Sequence, residues 1–153
     1  MKLSRKTDYA LRALFTLVAE NGGAPVPVRE LAERNDAPKR FLEQILLEMK
    51  AAGWVESLPG KNGGYRLACA PAQITMGQVI RKFDGVLAPI GCVSVKRYEA
   101  CSQEANCRFR RVLLDARNYV AELMDRADLE SVFQGQIVST AEVFADFGDG
   151  AGI

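Results

Sequence analysis

The sequence predicts a mainly α-helical chain with one small β-hairpin and a long helix beyond it. Three observations carry that expectation. The early segments show helical apolar stripes, a glycine-dense gap separates two short β-prone runs, and a late stretch repeats its apolar residues in a 4-3-4-3-4 spacing. At 153 residues, 48% apolar and 25% charged, the chain fits one domain or a small domain with an appended element.

The first helix is expected from Thr7 to Glu20, with Ala10, Ala13, Leu14, Leu17 and Val18 on one face and Gly22-Gly23 as its stop. Pro27 opens a short second helix, Val28 to Arg34, with Val28, Leu31 and Ala32 inward. Asn35-Asp36 supplies a break with turn chemistry. A third helix follows from about Pro38 to Ala52, its inward face being Phe41, Leu42, Ile45, Leu46 and Met49, with Gly53 at its end.

Trp54 to Leu58 and Tyr65 to Cys69 have strand composition, and the turn formers Pro59-Gly60-Lys61-Asn62-Gly63-Gly64 lie between them, so a hairpin with a basic, glycine-rich tip is expected. A fourth helix starts at Met76, where Thr75 and Gln78 have capping-box spacing and Ile74 and Val79 can staple the start, and runs to about Phe83. Residues 84–101 read as irregular. The last strong element is expected from about Gln103 to Ala127, with Phe109, Leu113, Ala116, Val120, Leu123 and Ala127 as a coiled-coil-like seam. At 1.5 Å per residue it spans roughly 37 Å, long enough to offer a face to a second copy of the chain. A short helical turn follows Asp128, and the end of the chain reads as a frayed tail.

The organisation expected is thus a head at 1–83, a cysteine-bearing loop at 84–108, a dimerisation helix at 103–130 and a flexible tail at 131–153. The chain has no histidine, which excludes Ser-His-Asp and Cys-His catalytic groups, an HExxH zinc site and His-ligated haem built from this chain alone. No phosphate-cradling GxxxxGKS loop appears either, so an enzyme is not expected. Charges at Lys2, Arg5, Lys6, Asp8 and Arg12 leave no leader or membrane span in the first twenty residues. A cytoplasmic protein with reduced thiols and no membrane partner is therefore expected.

Residues 1–66 carry 11 Lys and Arg against 8 Asp and Glu, and residues 67–153 carry 9 against 11. A basic head can face a polyanion. Helix, tight break, helix and basic-tipped hairpin, in that order, make a winged helix-turn-helix, whose second helix enters the major groove of double-stranded DNA while the hairpin touches the backbone or minor groove. On the third helix, Lys39 and Arg40 can meet phosphate or guanine, Gln44 adenine, and Glu43 cytosine N4. A carboxylate beside DNA costs affinity, so Glu43 contributes discrimination between bases. At the wing, Lys61 supplies charge, and Gly60, Gly63 and Gly64 permit close backbone approach beside Asn62 and Tyr65.

The run Phe41-Leu42-Glu43-Gln44-Ile45-Leu46, the wing Gly60-Lys61-Asn62-Gly63-Gly64-Tyr65-Arg66-Leu67, and the opening Lys2-Leu3-Ser4 with Tyr9-Ala10 resemble the small winged-helix regulators that include IscR, NsrR and RirA. The resemblance covers about residues 1–130. It implies a homodimeric transcription factor, a repressor in type, that binds palindromic operators. Several members sense iron, nitric oxide or redox state through an iron–sulfur cluster. It also implies that Glu43 helps select the operator class.

Cys92, Cys101 and Cys107 lie within sixteen residues, with Cys69 apart at the end of the wing. Thiolates suit an iron–sulfur cluster, zinc or copper(I), and Cys107 is expected in the first turn of the long helix or just beyond it. Cys69 reads as a small buried hydrophobe. The resemblance implies that Cys92, Cys101 and Cys107 are cluster ligands, and both 2Fe–2S and 4Fe–4S types stay open. With no histidine present, the fourth ligand is another group. The NsrR-like branch points to Asp8, supplied by the partner subunit, while Glu99 and Glu104 are alternatives closer in sequence. A hard carboxylate on a soft site leaves one iron exchangeable and open to nitric oxide, oxygen or a thiol. The alternatives are a cluster-free repressor of the same fold, run by a thiol switch or a protein partner, and a zinc-stapled interaction module.

Overall fold

The computed structural model describes residues 2–85 and 87–145. Helix α1 (Arg5–Ala19) begins two residues before the expected start at Thr7, because the Ser4 hydroxyl accepts the Thr7 backbone N–H at 3.2 Å and caps the helix. Ala10, Ala13 and Leu14 are fully buried at the centre of the core, and α1 packs against α2 (Val28–Arg34) and α3 (Lys39–Ala51).

The break between α2 and α3 is held by a buried polar residue. Asn35 donates its side-chain amide to the Leu31 carbonyl at 2.8 Å and accepts the Thr16 hydroxyl of α1 at 3.0 Å. Asp36 follows with φ 49°, a left-handed conformation that Asp and Asn tolerate better than most residues. Together they fix where α3 leaves the core. Along α3 the stripe Leu42, Ile45, Leu46 and Met49 is fully buried. Phe41, expected inward with them, is 38% exposed instead. It sits one residue, about 100° of helix rotation, off that stripe, and its ring meets Tyr9 edge-on at 5.9 Å at the rim.

Strands β1 (Val55–Leu58) and β2 (Gly64–Leu67) pair antiparallel, Val55 with Leu67 through Leu58 with Gly64. A third stretch joins them, since Val26 and Tyr65 exchange both backbone N–H···O bonds at 2.8 Å. Helix α4 (Met76–Phe83) starts with both halves of the Thr75–Gln78 capping box formed, and Ile74 and Val79 are fully buried.

The long helix, α5 (Arg110–Arg126), starts seven residues later than the periodicity predicts. A 3-10 turn over Glu104–Asn106 ends in extended backbone at Cys107, so residues 103–109 belong to the cysteine loop and Cys107 lies outside the helix. The seam also differs. The exposed apolar stripe is Phe109, Val112, Tyr119 and Leu123, whereas Leu113 and Val120 are half-buried.

At its far end α5 is tied to that head. Arg81 of α4 forms a two-bonded ion pair with Asp125, at 2.6 and 2.5 Å. The Met76 and Leu129 backbone N–H groups donate to the Ala127 and Ile74 carbonyls at 2.8 and 2.9 Å. Gly77 leaves room for this ion pair, because a Cβ there would stand 2.1 Å from the Asp125 carboxylate oxygen and 3.1 Å from the Arg81 guanidinium. Leu129, the first residue of α6 (Leu129–Gln134), is fully buried in the core beside α1, so the chain past Asp128 is anchored before it reaches α7 (Thr140–Ala145). Expectations about the tail beyond residue 145 lie outside the described residues. Among the described residues no helix is long and apolar enough to cross a membrane.

Replacing Asn35 by Ala leaves the Thr16 hydroxyl and the Leu31 carbonyl without this partner. It should cost roughly 1–3 kcal/mol, read as a lower urea midpoint with an unchanged denaturant slope.

Candidate nucleic-acid interface and cysteine loop

The first face is built by α3 and the hairpin. Lys39, Arg40 and Gln44 are exposed at the N-terminal half of α3, and Glu43 is half-buried beside them. Lys39 Nζ lies 3.8 Å from the Glu43 carboxylate, one helical turn on, so the one acid of this group has a cation next to it. Arg40 follows Lys39 at the helix start, about 100° further round the helix. At the wing, Lys61 and Asn62 are exposed at the tip, while Tyr65 is half-buried against the core.

The glycines of the wing have an intramolecular reason to be there. A Cβ on Gly64 would stand 2.4 Å from the Val26 backbone, and one on Gly63 would stand 2.2 Å from the Leu58 carbonyl oxygen. The hairpin and the Val26 stretch can close only over hydrogen atoms at these two positions. Gly60, at φ 106°, makes the turn itself. Arg66 is paired with Glu56 across the strands at 2.6 Å, which leaves Lys61 as the cation of the tip.

The second face is the loop before α5. Cys92, Cys101 and Cys107 all line one cavity of about 580 Å³, together with Glu99, Glu104 and Arg110. Cys92 is buried, Cys107 half-buried and Cys101 exposed, and all are free thiols. Three soft donors around one cavity match the chemistry of a thiolate-bound group. They are not drawn together, however: among the described residues, no three His, Cys, Asp or Glu side chains converge on one metal position. Cys69 stands elsewhere, half-buried against the core, and burial pushes its thiol up from the ordinary value.

The carboxylates expected near the thiols divide by their partners. Asp8 is not among the residues lining that cavity; it is ion-paired with Arg12, 2.8 Å away and one turn along α1. Glu99 lies over Gly91, where an added Cβ would come within 2.7 Å of its side chain. Glu104 is pinned in place. It accepts the Tyr98 hydroxyl at 2.7 Å and the Cys101 backbone N–H at 3.2 Å, and lies 3.1 Å from Arg110. The Tyr98 bond above all, then the Cys101 N–H and Arg110, hold its carboxyl below the usual glutamate range, and the same bond raises Tyr98.

Two residues that the sequence did not single out complete the loop. Arg110 donates to the Cys92 carbonyl at 2.8 and 3.3 Å, and Arg117 donates to the Val93 carbonyl at 3.0 Å. The signal available in the sequence was their spacing of seven, two turns apart on one face of a helix otherwise read for its apolar seam.

The similarity of this architecture to known proteins is extensive. A family model described as Rrf2, iron-dependent transcriptional regulator, matches residues 3–135. The chain belongs to the Rrf2 family. It is 37% identical over 136 residues to an Rrf2-like helix-turn-helix regulator of Rhodobacter capsulatus, covering 85% of this chain and 91% of that one. It is 30% identical to the transcriptional regulator NsrR of Bacillus licheniformis, over 89% and 94% of the two chains. The solved structure of CymR, described as the global cysteine regulator of B. subtilis, superposes with a TM-score of 0.77 at 28% identity, covering 90% of this chain and 99% of that one. The winged helix-turn-helix fold is therefore that of an Rrf2 transcriptional regulator. Such regulators bind DNA and are generally dimeric.

Glu104 has a lowered carboxyl in the fold, so its contribution to loop order is complete above the unfolded glutamate value near 4.3. It is lost as pH falls through the lower, folded value. Tyr98→Phe should return the Glu104 carboxyl toward the ordinary range, measured by a carboxyl-carbon NMR titration, and shift the loss of loop order to higher pH.

Proposed function

We propose that the protein is a homodimeric, operator-binding repressor whose grip on DNA is set by an iron–sulfur cluster held at Cys92, Cys101 and Cys107. The observation that carries the sensing part is the gathering of these three thiols around a single cavity next to α5. For the DNA part, Lys39, Arg40, Gln44 and Glu43 form the groove-facing end of α3, with Lys61 and Asn62 as the backbone-contacting tip and Gly63, Gly64 and Tyr65 as its rigid base. The exposed stripe Phe109, Val112, Tyr119 and Leu123 is the face offered to the second subunit. Two heads held by that interface read half-sites about one helical turn apart, roughly 34 Å.

A cluster held by Cys92, Cys101 and Cys107 would supply iron able to react with nitric oxide, oxygen or thiols. The chain's own part is to hold the ligands: Cys92 from a buried turn, Cys101 through the Glu104 carboxylate on its N–H, and Cys107 beside the start of α5. Loading the site would draw the three thiols closer together than they stand. Asp8 of the partner subunit is the proposed fourth ligand, which requires it to leave Arg12, an exposed pair of small worth.

A second reading is a cluster-free regulator with a thiol switch. It is favoured by the free thiols and the lack of a convergent ligand set among the described residues, and by the likeness to CymR. A zinc-stapled loop is separated from both by elemental analysis.

Protein purified without oxygen should be brown, with thiolate-to-iron absorption lost in Cys→Ser variants at 92, 101 or 107 and kept in Cys69→Ser. Colourless, iron-free protein whose DNA affinity still responds to those three substitutions under oxidant supports the thiol switch; no response at all removes sensing and leaves DNA binding standing. For the interface, a duplex is first selected by the protein from a random pool. Arg40→Ala and Lys61→Ala should weaken binding to all duplexes and lower the salt slope by about one each. Glu43→Ala should instead bind random DNA more tightly and narrow the preference for the selected duplex by about 1–3 kcal/mol.

A further inference from the structure

We propose that Arg110 and Arg117 are the positioning residues that couple the cysteine loop to the DNA-binding head, and that Cys92 is the thiol through which the coupling acts. This rests on the reading of the loop as a sensor. The two arginines lie two turns apart on one face of α5 and reach the carbonyls of consecutive residues, Cys92 and Val93. Those residues form one 3-10 turn, Gly91–Val93, with both side chains buried. The turn is thus fastened to α5 by its main chain, at two points. Cys92 Sγ cannot be pulled far toward the cavity without dragging the carbonyls that the arginines hold.

The other two thiols are fastened differently. Cys101 is exposed and is held through its N–H by Glu104, and Cys107 sits in extended backbone before the helix. Among the described hydrogen bonds neither has its own carbonyl held by an α5 arginine, as Cys92 does. Glu104 also bonds Arg110 at 3.1 Å, so the Cys101 side of the loop reaches the same guanidinium.

The far end of α5 is equally fixed. Asp125 is held by Arg81 of α4, Ala127 by the Met76 N–H, and Leu129 by the core. A rod of seventeen residues, about 25 Å long, therefore has the cysteine turn clamped to its first half and the head clamped to its end. A displacement of the Cys92 turn is passed to the head as a tilt of α5, and no side chain needs to repack between them. A carbonyl is a suitable handle for this purpose: it accepts the guanidinium whatever the state of the thiol, so the clamp persists while the Cys92 side chain is ligated, oxidised or free.

The test uses the full-length protein, metal-free and fully reduced, with iodoacetamide as probe and peptide mass spectrometry resolving each cysteine. Arg117→Gln, and the double variant Arg110→Gln/Arg117→Gln, should alkylate Cys92 about tenfold faster or more than wild type, because local opening governs access to a buried thiol. Cys69 should react at its wild-type rate, which separates loss of the clamp from general loosening. Arg117→Lys, which keeps a cation and a donor, should recover most of the protection. If the double variant also speeds Cys69, the single variant decides.

On the selected duplex, wild-type affinity should differ between the cluster-bearing and cluster-free forms, and in the double variant the two forms should bind alike. Unchanged Cys92 protection, or a response in the double variant equal to wild type, overturns the proposal. A wild-type protein with no response at all is the failure of the sensing reading; it appears before any arginine is changed and removes the coupling with it.

Discussion

The fixed attachment of α5 to the head is the constraint on which the rest of the molecule depends. The Arg81–Asp125 pair is only part of it, and on a partly exposed surface such a pair alone is worth little. What makes the joint firm is its combination with the Thr75–Asp128 bridge and with Leu129, buried in a core otherwise made by α1 to α4 and the hairpin. Gly77 leaves the space that the Asp125 carboxylate and the Arg81 guanidinium occupy, and a Cβ there would displace that pair. The long helix is therefore part of the DNA-binding domain at one end and part of the cysteine loop at the other.

Much of this was legible in the sequence where the determining interactions are local. The α4 start could be read because Thr75 and Gln78 are three residues apart and satisfy each other's backbone partners. The buried stripe of α3 could be read from Leu42, Ile45, Leu46 and Met49, but Phe41 was swept in with them although it lies off the stripe and stays at the rim. Ser4 was passed over as a cap because the apolar period starts later than the helix does. The later start of α5 escaped because the seam spacing continues through Phe109, and no periodicity reports the 3-10 turn at Glu104–Asn106 that ends before it.

The candidate sites divide in the same way. Residue type and order suffice to place Lys39, Arg40 and Gln44 on an exposed end of α3 and Lys61 and Asn62 at the tip of the hairpin. The gathering of Cys92, Cys101 and Cys107 followed from their closeness in the chain, and the structure does set them around one cavity. What sequence could not supply was which carboxylate is engaged by what. Glu104 is occupied by Tyr98, Cys101 and Arg110, and Asp8 by Arg12, through contacts that depend on how a loop without periodicity lies against a helix. The clamp made by Arg110 and Arg117 is hidden for the same reason, since a main-chain carbonyl as acceptor has no signature in residue type.

The closure of Gly63 and Gly64 against Leu58 and Val26 has a consequence for how such a regulator diversifies. The hairpin root is locked by backbone packing that involves neither Lys61 nor Asn62. Mutational drift at the fingertip is thereby uncoupled from foldedness: a lineage can exchange these two side chains while the scaffold beneath them stays intact.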